Sequence, residues 1–145
     1  MLGRLGAARL LLIWLLVACG PVAAQGTGDT IALRVNKLGI EIVGLRLSSG
    51  GYMLDLRYRV LDPEKAKPLF DHRIKPFLTD VKTGSKFGVP TPGKIGALRN
   101  TSRSGKPKIN KVYFALFANP GRYLKPGAKV SVVVGKHRID DLVVE

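Results

Sequence analysis

With 145 residues, 46% of them hydrophobic, the chain is long enough for one domain and too apolar for wholesale disorder. Its 24 basic and 10 acidic residues give a net charge of +14, which opposes non-specific self-association and favours anionic partners. A single cysteine, Cys19, excludes an intramolecular disulfide framework, so any fold must rest on its core.

Residues Met1–Ala24 read as a secretory leader. Arg4 and Arg9 form a positive start, and Leu10–Val17 forms an apolar run. That run is too short for a bilayer core of about 30 Å, which takes about 20 residues. All ten acidic residues lie beyond the leader, so the remainder carries 22 basic against 10 acidic residues, a net +12. Two cleavage points compete. Leu16-Val17-Ala18-Cys19 resembles the bacterial lipobox, which implies a signal peptide over 1–18 and a diacylated, then N-acylated, Cys19. Gly20 follows it, where lipoproteins kept at the inner membrane commonly carry Asp, and the resemblance therefore implies the outer membrane of a Gram-negative cell. Val22-Ala23-Ala24 suits ordinary signal peptidase, with cleavage after 24 and a soluble periplasmic product. Residues 19–36 read as a Gly-containing tether, with a first edge strand expected over Thr30–Val35.

The domain is expected over 37–145. Apolar residues alternate at even positions in Leu38–Ile42 and at odd positions in Val43–Leu47. The register flips at Val43-Gly44, which predicts a β-bulge there. Ser48–Gly51 is a hairpin turn. In Tyr52–Val60, Tyr52, Leu54, Leu56, Tyr58 and Val60 share one face, with Asp55, Arg57 and Arg59 on the other. Asp62–Pro68 reads as a polar connector with Asp62 capping one helical turn, after which Leu69, Phe70 and Ile74 return to the core. Phe77–Val81 and Lys86–Pro90 form a second hairpin around Lys82–Ser85. Thr91–Asn110 is irregular, and a loop this long is either functional or mobile. Val112–Phe117, Val130–Val134 and His137–Val144 complete the strands. Phe114 and Leu116 are set against Tyr113 and Phe117 by alternation, leaving open which set faces the core.

Seven or eight short strands with turns at this spacing predict a single antiparallel β-sandwich. Leu124–Val132 resembles the corner between the fifth and sixth strands of fibronectin type III and immunoglobulin-like domains. Those families usually place a tyrosine where this chain has Val130. The resemblance implies an immunoglobulin-like sandwich.

Charge is distributed unevenly. Between Asp80 and Asp140 there is no acidic residue and there are thirteen basic ones. Arg99, Arg103, Lys106 and Lys108, with Lys111 beside them, are the expected contacts for an anionic partner. A solvated basic surface accounts for the same residues. Nucleic acid is not expected, because bases stack on aromatic side chains and the loop has none. His72 and His137 are the only histidines, and they lack the spacing of a metal motif; no cofactor is expected. No nucleophile sits in a hydrolase-type elbow, and adjacent Asp140 and Asp141 should point to opposite faces of a strand. The residues thus lead to a non-catalytic, exported accessory protein that touches an envelope protein, lipid headgroups or lipopolysaccharide phosphates. The alternative is a soluble periplasmic carrier or metal-handling domain using His72 and His137.

Overall fold

The computed structural model describes residues 37–101 and 106–145. The leader, Cys19, the expected strand over Thr30–Val35 and Arg103 lie outside them. Among the described residues, seven strands form two antiparallel sheets. The first contains β1 (Ile40–Ser48), β2 (Met53–Val60) and β5 (Val112–Ala118), in the order β1-β2-β5. The second contains β3 (Phe77–Asp80), β4 (Lys86–Gly88), β6 (Lys129–Val134) and β7 (His137–Val143), in the order β4-β3-β6-β7. The expected all-β sandwich is the fold.

Alternation builds the core. Leu54, Leu56, Tyr58 and Val60 of β2 are buried and face one cluster with Leu78, Val130, Val132, Val134, Ile139 and Leu142 from the other sheet. Each such aliphatic side chain contributes about 1.5–3 kcal/mol on leaving water. Tyr52 does not join them: it lies before β2 and is 56% exposed. The bulge in β1 falls where the pattern flips. Ile42 pairs with Tyr58 and Gly44 with Arg57, leaving Val43 as the extra, exposed residue.

The neighbouring strand decides the phase of β5. Leu54 pairs with Phe117, Leu56 with Ala115 and Tyr58 with Tyr113, and residues paired across strands share a face. Phe117 and Ala115 are therefore buried, and Tyr113 packs on Phe70 at 4.7 Å between centroids and on Tyr58 at 6.2 Å. Phe114 lies on the outer face with the Arg57 guanidinium 5.5 Å from its centroid.

A second bulge lies in β7. Val132 pairs with Ile139 and Val130 with Leu142, which sets Asp140 and Asp141 together opposite Ser131; Asp141 takes φ 59°. Both Ile139 and Leu142 stay buried, so the alternation expected across Asp140-Asp141 fails there.

Antiparallel order brings the β1–β2, β3–β4 and β5–β6 connections to one end of the sandwich, the upper end. The Asn119 side chain reaches Gly51 there, and Tyr123 reaches Thr83. The segment after β2 and the segment before β5 meet at the lower end, where Asn110 N–H donates to the Val60 carbonyl and Val60 N–H to that of Lys111. In the lower connector, Asp62 Oδ1 accepts the Glu64 and Lys65 N–H groups, and a single helical turn, α1 (Lys67–Phe70), drops Leu69 and Phe70 into the core.

Part of the long irregular segment is ordered by pairing. Leu116 N–H donates to the Leu98 carbonyl (2.9 Å), Asn100 N–H to that of Phe114 (3.1 Å), and Phe114 N–H to Asn100 Oδ1 (2.9 Å). Leu98–Asn100 thus covers the edge of β5 that would otherwise present unpaired backbone groups.

Candidate functional site

Four of the five residues expected to meet an anion lie among the described residues; Lys106, Lys108 and Lys111 fall at one end, and Arg99 does not join them. Arg99 is a correction. It is only 7% exposed, because its bridge to Ala115 turns the side chain under α1. The guanidinium donates to the carbonyls of Leu69, Asp71 and Ile74, the last two at 2.7 Å. Burial lowers its pKa from the ordinary arginine value, opposed by the attraction of Tyr58 and Asp71. Its donors are occupied in holding the connector between α1 and β3, so it has no face to offer a partner. Arg103 lies outside the described residues.

Lys106, Lys108 and Lys111 gather at the lower end. Lys106 Nζ lies 2.7 Å from Glu64 Oε1, and the other oxygen of that carboxylate pairs with Lys67. Hydrogen bonds from Lys106 and then Lys67 hold the Glu64 carboxyl down to about 2. The Lys108 backbone N–H donates to the Tyr113 hydroxyl at 2.8 Å, and Lys111 Nζ stands 5.4 Å from the Tyr113 centroid. Two more pairs, Lys65–Asp62 and Arg73–Asp71, sit on the same connector. The lower end therefore mixes both signs.

The upper end carries one acid, Asp80, among its cleft-lining residues. An open cleft of about 640 Å³ separates the β3–β4 turn from the β5–β6 loop, and Lys82, Lys125 and Lys129 line it. Its first wall is an aspartate-centred turn. Asp80 Oδ1 accepts the Lys82 N–H (3.1 Å), Oδ2 accepts the Thr83 hydroxyl (2.6 Å), and Gly84 takes φ 73° to close the turn. These bonds, Thr83 first, lower the Asp80 carboxyl from its ordinary value. Asp80 keeps its negative charge, and attraction to the Lys82 ammonium also lowers its pKa, so the cleft sets three lysines against one carboxylate.

The second wall is Tyr123–Lys129. Leu124 is buried as an anchor, and Pro126-Gly127 makes the turn, with Gly127 at φ 84°. Gly127 N–H donates to the Val144 carbonyl (2.7 Å) and Val144 N–H to that of Ala128 (3.0 Å), which ties the turn to the strand end. The Tyr123 hydroxyl meets Thr83 Oγ1 at 3.1 Å and joins the two walls.

Asn119 is the residue that sequence reasoning missed. Fully buried, it donates from Nδ2 to the carbonyls of Gly51 (2.8 Å) and Leu124 (2.9 Å) and accepts the Leu124 N–H at Oδ1 (2.8 Å). These side-chain bonds back to the backbone close the corner between β5 and β6. Asn-Pro-Gly announces a loop in the sequence, and nothing in it announces a buried amide.

The ion pairs between described residues involve none of the residues that line the cleft: Arg46–Glu145, Arg57–Asp55 and Arg59–Glu41, Arg138 with Asp140 on β7, and the lower-end pairs above. None among the described residues involves Lys82, Lys125 or Lys129. Three ammonium groups around one cleft with a single pre-bonded acid can receive an anion. The histidines sit elsewhere. His72 is exposed after α1, 4.0 Å from Asp71, and His137 opens β7. Among the described residues, no three of His, Cys, Asp and Glu come together as metal ligands. No family model, curated protein or solved structure matches this chain.

Proposed function

We propose that this is an exported, non-catalytic binding domain of the bacterial envelope that contacts an anionic partner through its basic C-terminal half. One observation carries the reading. The three lysines that line the open cleft at the upper end form no ion pair among the described residues, while at the lower end Lys65, Lys67 and Lys106 are paired with Asp62 and Glu64. The anion-contacting residues are then Lys82, Lys125 and Lys129, with Lys106, Lys108 and Lys111 secondary. Export and lipidation at Cys19 rest on the lipobox resemblance, with the periplasmic face of the outer membrane as the location. The order β1-β2-β5 and β4-β3-β6-β7 supports the fibronectin type III and immunoglobulin-like resemblance; relative to the immunoglobulin constant arrangement, the fourth strand sits beside the third instead of the fifth.

In-cell crosslinking with co-purification tests the function. The natural chain is compared with one variant carrying Lys82, Lys125 and Lys129 as Gln and another carrying Lys106, Lys108 and Lys111 as Gln. A partner recovered by the natural chain and lost from the first variant supports the reading. Equal recovery by all three refutes it. Intact mass tests the anchor: a mature product starting at Gln25 without acyl chains removes it.

A further inference from the structure

We propose that the upper end docks on an anionic membrane surface, with lipid phosphates entering the cleft between Lys82, Lys125 and Lys129 and with Tyr52, Val81 and Tyr123 resting among the headgroups. The inference rests on the anion-binding reading and adds a surface and a ligand class to it.

Two independent features of the upper end point to a bilayer. The first is the choice of cation. All three cleft-lining cations are lysines, Lys82 and Lys125 on facing loops and Lys129 at the start of β6. A lysine is a compact charge on a flexible stem, suited to phosphates that move laterally, whereas fixed carboxylates are better met by the planar fork of arginine. The cleft is also open, and no buried donor stands ready in it, so a small soluble phosphate would keep most of its water.

The second feature is the exposed apolar surface at the same end. Tyr52 is 56% exposed, Val81 51% and Tyr123 49%. Tyrosine places its ring against apolar material and its hydroxyl in water, which is the arrangement of a headgroup region. Arg122 lies over the Tyr52 ring at 5.5 Å and sets another cation beside that aromatic. The turns carrying these groups are held by the Asp80–Thr83 and Asn119 hydrogen bonds, so little ordering is needed on contact. At the lower end Lys65, Lys67, Lys106 and Arg73 are paired with Asp62, Glu64 and Asp71.

The test is vesicle co-sedimentation of the full chain, with hydrogen exchange read on the loops. Vesicles of phosphatidylcholine alone are compared with vesicles that also contain phosphatidylglycerol. Each lysine near an anionic surface is worth about fivefold in affinity and the three together about a hundredfold. The expected result is tighter binding to the anionic vesicles, slowed exchange over 81–84 and 120–129, and a loss of about a hundredfold when Lys82, Lys125 and Lys129 become Gln. Val81→Asp should weaken binding with every lysine kept. All variants carry the same leader, so the differences belong to the upper end.

Undiminished binding by the cleft variant overturns the proposal. If the variant of Lys106, Lys108 and Lys111 loses binding instead, the anion reading survives with its site at the lower end. If neither variant loses it, the anion reading falls as well. Equal loop protection by millimolar inorganic phosphate overturns the membrane in favour of a soluble anion. Protection by polyglutamate but not by vesicles overturns it in favour of an acidic protein.

Discussion

Arg99→Met removes a buried guanidinium while keeping much of the side-chain volume, and its cost can be worked from the structure. Three carbonyls, those of Leu69, Asp71 and Ile74, lose a charged donor. A hydrogen bond to a charged group contributes about 1.5–3 kcal/mol, so the gross loss is about 4–9 kcal/mol. Relief of the cation's burial returns several kcal/mol. The net expectation is a loss of about 3 kcal/mol, a large share of the roughly 5–15 kcal/mol that holds a domain folded. Arg99→Lys keeps the charge but has no planar fork to reach all three carbonyls, and should fall between. Urea unfolding measures both, the midpoint dropping with the slope unchanged. If Arg99→Met changes stability by less than about 0.5 kcal/mol, the value typical of an ordinary surface site, then Arg99 does not hold the connector and the reasoning fails.

Asn119→Ala should cost about 2–3 kcal/mol, since it leaves the buried Leu124 N–H and two carbonyls without their partner, and exchange should speed up at Leu124 ahead of the core strands. Asp80 contributes stability that is present above its ordinary value of 3.8 and is lost as pH falls through its lower folded value. The stability difference between the natural chain and Asp80→Asn should therefore be largest near neutral pH and shrink below 3.8; a difference that grows in acid contradicts the assignment. The Glu64 carboxyl should titrate at about 2 by NMR and move back toward 4.5 in Lys106→Gln, where the Lys106 hydrogen bond is gone and Lys67 remains. An unchanged midpoint in that variant would exclude the lower-end bridge.

What the residues reveal in advance follows from how local each feature is. The alternation in β2 and the flip at Val43-Gly44 belong to single strands, so both could be read from the chain alone. The Pro-Gly turn before β6 was equally legible, because backbone dihedrals select those residues. The phase of β5 was not, since Val112–Phe117 is apolar on both faces and only its pairing with Leu54 and Leu56 decides. Arg99 looked like one of a run of exposed cations because its partners lie 25 to 30 residues away. The basic half was visible as a charge count. Its division into a partly paired lower end and a cleft of lysines without ion pairs depends on strand order, which puts Lys82 beside Lys125 and Lys129 and Lys106 beside Glu64.

The most direct test of the anionic-partner account is photo-crosslinking in living Gram-negative cells, with a photoreactive residue at Lys125 in one variant and at Lys108 in another. Mass analysis of the adducts identifies what each position touches. Abundant adducts to an anionic lipid or acidic envelope component are expected from position 125 and few from position 108. Adducts that are equal at the two positions, or concentrated at 108, would contradict the upper cleft as the contact site.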